Sequence, residues 1–85
     1  MNKQELEAKL KKADTELGEA IIVVARRAQD VSDNSYVMSE GTYGVEPDDM
    51  VELKNALTHW TACTQKFLEV VDEVGEFNRA QQVAQ

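Results

Sequence analysis

The chain has 85 residues, of which 42% are hydrophobic and 29% are charged, close to the averages of about 45 to 50% and 25% for soluble globular domains. A chain this short cannot bury two hydrophobic cores, so residues 1–85 are predicted to form a single domain. The formal net charge of −7 makes the protein acidic and repels nucleic acid, which argues against direct nucleic-acid binding.

The N-terminal segment MNKQELEAKLKK does not resemble a secretory signal, because it is charged and no apolar core follows it directly. The longest uninterrupted apolar run, residues 20–25, is far below the ~20 residues needed to span a bilayer. The single cysteine, Cys63, cannot form an internal disulfide, which is typical of a reducing compartment. We therefore expect a cytoplasmic protein without membrane contact.

A first helix is predicted over about residues 3–33, because apolar residues recur there at steps of three and four. Arg27 is the one interruption of this helix face. Strong helix formers fill the positions between the apolar residues, and the helix is expected to end in the segment DVSDNS, whose side chains compete for backbone hydrogen bonds. The apolar face consists of Leu6, Leu10, Ala13, Leu17, Ala20, Val24 and Val31.

A loop of about a dozen residues, roughly 34–46, follows this helix. It holds both tyrosines and two of the four glycines. The β-favouring runs YVM and YGV flank the turn segment SEGT, so they can pair as a tiny two-stranded hairpin at the tip. A connection that only reverses the chain needs about 2 to 8 residues. The loop is therefore predicted to be a recognition element or a lid over the end of the helices.

The net charge is concentrated around this loop. Residues 28–53 carry seven of the sixteen acidic residues and no lysine or arginine, whereas the rest of the chain has nine acids and nine bases. This end of the molecule is therefore predicted to form a negative field that attracts a protein with a basic surface. The residues predicted to contact such a partner are Tyr36, Tyr43, Glu46, Asp48 and Asp49.

A second helix is predicted over about residues 47–80. Pro47 suits a first helical turn, and the acids that follow it stabilise the positive end of the helix dipole. Apolar residues then form a main stripe, and a second row widens that stripe on one side. The main stripe is Met50, Leu53, Leu57, Trp60, Thr64, Phe67, Val71 and Val74, and the second row is Ala56, Cys63, Val70 and Phe77.

The two helices are predicted to form an antiparallel hairpin, because a parallel pair would need a long crossover that the chain does not contain. In such a hairpin, positions whose numbers sum to about 82 lie side by side. This register places lysines 9, 11 and 12 beside acids 69, 72, 73 and 76, and it brings the two apolar stripes together. The predicted fold class is therefore all-α.

The hairpin alone is not expected to cover all of its apolar surface, because the segment AIIVVARRA is apolar on more than one stripe. Small chains without a disulfide or a metal commonly complete their core by association. We predict a homodimer in which two hairpins form a four-helix bundle. The residues predicted at the dimer interface are Ile22, Val23, Ala25, Trp60 and Phe67. The alternative is a monomer whose loop and C-terminal tail fold over the exposed stripe.

Two further groups of residues are candidates for ligand or metal binding. Arg26 and Arg27 interrupt the apolar pattern and, with Lys54, are candidates for a nucleotide or phosphate pocket, although no glycine-rich phosphate loop accompanies them. His59 and Cys63 lie four residues apart on one helix face and supply half of a tetrahedral zinc site, which a two-fold axis could complete. The alternative is a surface histidine beside a small core thiol.

The sequence thus predicts a small acidic, non-enzymatic protein-protein interaction module. In this interpretation a homodimeric adaptor or inhibitor binds a basic-surfaced protein through its acidic, tyrosine-containing loop end. The alternatives are a ligand- or nucleotide-binding helical bundle that uses Arg26, Arg27 and Lys54, and a metal-binding dimer that uses His59 and Cys63. No catalytic residue and no cofactor are expected, and no motif identifies a known family.

Overall fold

The computed structural model describes residues 2–84, with side chains as far as Gln82, and shows two long helices joined by a small β-hairpin. Helix α1 spans Lys3–Asp33, strand β1 spans Tyr36–Ser39, strand β2 spans Thr42–Gly44 and helix α2 spans Pro47–Ala84. The predicted helical hairpin with a β-hairpin at its tip is confirmed. The molecule is a rod of 69 × 19 × 14 Å. Within the described residues, neither helix is long and apolar enough to cross a membrane.

Helix α1 is capped by hydrogen bonds at both ends. The Asn2 side chain accepts a hydrogen bond from the N–H of Glu5 at 2.8 Å, which satisfies one of the donors that a first turn leaves without a partner. At the other end, the N–H of Asn34 donates to the carbonyl oxygen of Asp30 at 3.0 Å. The helix therefore ends at Asp33, within the polar DVSDNS segment.

Helix α2 begins with proline in its first turn. Asp48 and Asp49 follow in that turn and stabilise the positive end of the helix dipole. The helix then continues to Ala84, past the end expected at about residue 80. Gly75 costs helix stability relative to alanine but does not interrupt the helix.

The buried core is a narrow seam between the two helices. Its hydrophobic residues are Leu6, Ala13 and Ala20 of α1 and Ala56, Cys63 and Val70 of α2. The spacing of seven within each set is that of a coiled coil. Most of these side chains are small, and small side chains let two helix backbones approach closely. Among the side chains that are fully buried, the largest is that of Val70.

This seam corrects the predicted orientation of α2. The main apolar stripe is expected to face α1, but Met50, Leu57 and Val71 of that stripe are exposed. The second row, from Ala56 to Val70, lies against α1 instead. Large side chains dominate a periodicity pattern, whereas two long helices pack most closely along the row with the smallest side chains. Helix α2 is therefore rotated relative to the prediction.

One side of the seam, here called the ionic flank, carries ion pairs between the helices. These pairs join Lys9 to Glu73 at 2.8 Å, Glu16 to Lys66 at 3.4 Å and Arg27 to Glu52 at 3.0 Å. The Lys9–Glu73 pair confirms the predicted antiparallel register, in which lysines of α1 meet acids of α2, and the Glu16–Lys66 pair fits the same register with the charges exchanged. All of the paired groups are partly exposed, so each pair contributes at most about 1 kcal/mol to stability. Their main effect is to fix the register.

The opposite side of the seam is apolar. Leu10 of α1 lines a groove there together with Phe67 and Val71 of α2, and Glu7, Lys11 and Asp14 of α1 border it. Residues seven apart keep the same side of a coiled coil, so Trp60 continues the row of Phe67 along α2. The surface called the apolar flank consists of Ile21, Met50, Leu57, Trp60, Phe67 and Val71. All of these except Phe67, which is half-buried, are exposed.

Candidate protein-binding tip

The chain reverses between the helices in a two-stranded antiparallel sheet, here called the tip hairpin (residues 36–44). Tyr36 lies opposite Gly44, and Val37 lies opposite Tyr43. Because successive side chains of a strand point to opposite faces, these two pairs occupy different faces of the hairpin. Gly41 forms the turn with a φ of 76°, a conformation that glycine adopts at little cost.

Tyr36 closes one face of the tip hairpin. A Cβ atom placed on Gly44 would lie 2.5 Å from Cε2 and Cζ of the Tyr36 ring, so the ring rests directly on the glycine backbone. Gly44 is consequently buried in a segment whose other residues are exposed. A side chain at position 44 would displace the ring, so the pairing of Tyr36 with glycine determines the shape of the tip.

The other face of the tip hairpin is open. Val37 and Tyr43 are 69% and 70% exposed, and they lie side by side as a cross-strand pair. Across the described residues, no Cα atom of either strand comes within 8 Å of a helical Cα atom three or more residues away. The hairpin therefore projects from the end of the rod and does not act as a lid over the helices.

Carboxylates lie where the tip hairpin meets α2. The group of Glu46, Asp48 and Asp49 is here called the acidic collar. Glu46 and Asp48 are exposed, whereas Asp49 is half-buried and accepts a hydrogen bond from the side-chain amide of Asn34 at 3.0 Å. Asp49 thus connects the end of α1 to the first turn of α2. The exposed carboxylates of Glu46 and Asp48 are the ones placed to meet a cation.

The residues predicted to contact a partner therefore differ in their positions. Tyr43, Glu46 and Asp48 are exposed at or beside the tip. Tyr36 covers Gly44 and Asp49 bonds to α1, so both of these also hold the local structure. Each of the five lies in the tip hairpin, in the segment that joins it to α2 or in the first turn of α2.

Sequence reasoning misses Val37 and Met38 as candidate contacts. Val37 forms the open face with Tyr43, and Met38 is 66% exposed at an irregularity in the strand pairing between Val37 and Ser39. The short apolar run YVM is the sequence signal for these two residues. It does not show which of them shares a face with Tyr43, because that depends on the register of the hairpin.

The residues of the candidate nucleotide site do not converge. Arg27 is held on the ionic flank by Asp30 at 3.3 Å and by Glu52 at 3.0 Å. Lys54 lines a different groove, formed by α2 alone, and Arg26 is exposed to solvent. The three side chains do not form one phosphate-binding pocket in this arrangement.

His59 and Cys63 are close together on α2, with 3.6 Å between Nε2 and Sγ. Cys63, however, is buried in the seam against α1. A second copy of the chain could reach its sulfur only if the helices separated. Within residues 2–84 no three His, Cys, Asp or Glu side chains lie close enough together to hold a metal ion.

The residues predicted at the dimer interface lie on different sides of the rod. Trp60 and Phe67 belong to the apolar flank, whereas Val23 lines a depression on the ionic flank. Ile22 and Ala25 are exposed, at positions that the helical repeat turns away from the seam residue Ala20. One flat interface cannot contain all five residues. The interface residues stay a prediction, because which of them share a surface depends on the orientation of each helix about its axis, and the sequence pattern does not give that orientation.

Comparison of this chain with protein-family models, with curated proteins and with solved structures finds no match. No activity is therefore carried over from another protein. The function proposed below rests on the geometry and charge of the chain itself.

Proposed function

We propose that this protein is a small acidic, non-enzymatic interaction module that binds a basic-surfaced protein through its tip, as a homodimeric adaptor or inhibitor. The observation that most strongly supports this is the exposed pair of Val37 and Tyr43 at the end of the rod. Tyrosine is enriched at protein interfaces, where its ring supplies contact area and its hydroxyl a hydrogen bond. The pair is not needed to bury the helices, so binding is the use that its position favours.

Charge around the tip indicates the chemistry of the partner. Residues 28–53 carry seven acids and no base, and the exposed members of the acidic collar lie next to the hairpin in sequence. Complementary charge raises the rate of association and selects among partners, whereas apolar side chains at the centre of an interface provide most of the affinity. The expected partner therefore has an apolar pocket for Val37 and Tyr43 within a basic rim.

The tip hairpin is also prepared for binding by its backbone. Its two strands are held by cross-strand pairing, by the turn at Gly41 and by the Tyr36 ring on Gly44. A segment that is already ordered loses less conformational entropy when it binds. Each strand has only one neighbour in this two-stranded sheet, so its outer edge offers N–H and C=O groups to a strand of the partner.

We place this activity in the cytoplasm. Cys63 is a free, buried thiol, and a structure that depends on a reduced cysteine is suited to a reducing compartment. The acidic surface favours a protein partner over direct contact with nucleic acid, because phosphate groups and carboxylates repel each other.

The proposal is tested by affinity capture from an extract of the cells that produce the protein, with four purified baits. These are the unchanged chain, a tip variant (Val37→Ser with Tyr43→Ser), a collar variant (Glu46→Gln with Asp48→Asn) and the control Ile22→Ser, which alters an exposed apolar residue far from the tip. We expect a basic protein to be retained by the unchanged chain and by the control and to be lost from the other two. Retention should weaken as salt concentration rises.

Circular dichroism of each bait verifies that the helices remain intact. With the captured protein purified, the tip variant should bind at least about tenfold more weakly, since each lost contact of a central interface residue costs more than 1 kcal/mol. The proposal is contradicted when the tip variant retains the same proteins as the unchanged chain.

A further inference from the structure

We infer that a second copy of this chain covers the apolar flank, with the two copies antiparallel and Trp60 of each copy beside the two-fold axis. The two tips then lie at opposite ends of a four-helix bundle. The observations that support this arrangement are the exposed area, the contrast between the two flanks and the distribution of charge along the rod.

The chain exposes more surface than a self-sufficient monomer of its mass. Its accessible surface is 6582 Å², whereas a compact monomer of 9.5 kDa exposes about 5,000 Å². Its radius of gyration is 19.6 Å, against about 12 Å for a compact domain of this length. A standard dimer interface takes about 800 Å² from each partner. The excess surface is therefore large enough to form one.

The chemistry of the two flanks indicates which side is covered. The ionic flank pairs its charges within the chain and leaves the paired groups partly exposed. The apolar flank instead leaves Ile21 49% exposed and Trp60 38% exposed, with Leu57 and Val71 also exposed beside them. A two-fold interface uses the same patch on both copies, so an apolar patch meets an apolar patch. Two hairpins packed in this way share the core of a four-helix bundle.

Charge determines the relative direction of the two copies. A parallel pair would bring together two acidic ends, each with seven acids and no base over residues 28–53. In an antiparallel pair, each acidic end lies instead beside the open end of the other rod, which is formed by the start of α1 and the end of α2. The charges there are mixed, since residues 1–19 and 66–85 carry six bases and nine acids. The antiparallel arrangement therefore has less charge repulsion than the parallel one.

Trp60 lies at the position expected for the centre of such an interface. In the observed register it is opposite Ile21, near the middle of the rod. Along α2, Met50 lies between Trp60 and the tip, and Val71 lies between Trp60 and the open end of the rod. Both residues belong to the apolar flank. A two-fold axis beside Trp60 therefore sets the Met50 end of one flank against the Val71 end of the other. Tryptophan near the centre of an interface commonly contributes most to affinity.

This arrangement makes the molecule bivalent. Two tips at opposite ends of a bundle that is at least as long as the 69 Å rod can hold two copies of the basic partner apart, or engage two sites on one assembly with higher avidity. The bivalent role depends on the proposed function of the tip. The dimer itself does not, because the tip is not part of its interface.

Sedimentation equilibrium of three proteins tests the interface: the unchanged chain, Trp60→Glu and the control Ile22→Glu. We expect the unchanged chain and the control to have twice the monomer mass of 9.5 kDa. Trp60→Glu should raise the dissociation constant by about a hundredfold or more, because it buries unpaired carboxylates near the two-fold axis. Leu57→Ser provides a milder change on the same flank and should also weaken the dimer.

The tip variant Val37→Ser with Tyr43→Ser should dimerise like the unchanged chain, so failure of the dimer and failure of the proposed function are distinguishable. Monomer mass for the unchanged chain overturns the inference, as does a dimer that neither flank substitution weakens.

Energy transfer between labelled chains tests the direction. The labels are placed at Glu40→Cys in the tip and Asn78→Cys near the open end, in a Cys63→Ala background first verified to dimerise. Transfer from the tip of one copy to the open end of the other should be strong, and transfer between two tips should be weak, since the rod is 69 Å long. Strong transfer between two tips would overturn the antiparallel arrangement.

Discussion

Ala20→Leu is expected to lower the free energy of unfolding by about 2 to 3 kcal/mol, because overpacking of a filled core forces the backbone apart. Ala20 is 2% exposed and lies in the seam, where the register of the ion pairs sets it against Cys63. Three added carbon atoms cannot be accommodated there by rotation of one side chain. Urea denaturation followed by circular dichroism, at one fixed protein concentration, measures the change.

The matched control for this substitution is Ala8→Leu, because Ala8 is exposed on the same helix. Its effect should stay within about 0.5 kcal/mol, as for most surface substitutions. If Ala20→Leu were tolerated as well as Ala8→Leu, the helices would not be in contact along the small residues, and the seam described for this fold would be wrong.

Val70→Ala is expected to lower the free energy of unfolding by about 2 kcal/mol, because it removes two buried carbon atoms at about 0.8 kcal/mol each and leaves a cavity. Val70 is 1% exposed. The control Val51→Ala alters a valine that is largely exposed on the same helix. It should leave stability unchanged or raise it by a few tenths of a kcal/mol, because alanine is the better helix former.

The difference between the effects of Val70→Ala and Val51→Ala on the free energy of unfolding tests the orientation of α2. A loss of stability at Val70 with none at Val51 supports the observed orientation of α2. In samples shown to be monomeric, a larger loss of stability from Val71→Ala than from Val70→Ala would indicate that α2 faces α1 with the main apolar stripe predicted from the sequence.

The features of this fold that follow from the sequence are those set by chain length and by charge. The loop between the helices and the opposite charges at Lys9 and Glu73 are sufficient to predict the antiparallel register, and the observed ion pair confirms it. Arg27 interrupts an apolar stripe, and an arginine at that position needs an acid within reach. The structure places Glu52 there, 3.0 Å away.

The orientation of α2 about its own axis is not determined in the same way. The sequence offers two adjacent apolar rows, one with Trp60 and Leu57 and one with Ala56 and Cys63. Hydrophobicity favours the row of larger side chains, whereas close backbone approach favours the row of smaller ones. The periodicity of apolar residues does not show which of these two effects is larger. The tip presents the same difficulty, because only the pairing register shows that Val37 joins Tyr43.

The observed orientation has a consequence for function. The hairpin buries mainly alanine, cysteine and valine in its seam, and it leaves tryptophan, isoleucine, leucine and methionine on its surface. A self-sufficient monomer normally distributes these residues the other way, and contiguous exposed apolar patches mark interaction sites. The small seam thus holds the hairpin together, and the larger side chains stay on the surface, where the proposed second copy would cover them.

Trp60 reports on both the seam and the dimer in one measurement, because it is the single tryptophan of the chain. Fluorescence emission and its quenching by iodide are recorded across a wide range of protein concentration. We expect a water-exposed, readily quenched indole in dilute solution, and a blue-shifted, protected one as a second copy covers the apolar flank. A protected indole in a sample that sedimentation shows to be monomeric would place Trp60 in the core of its own chain and contradict the seam. An exposed indole at every concentration would contradict the dimer.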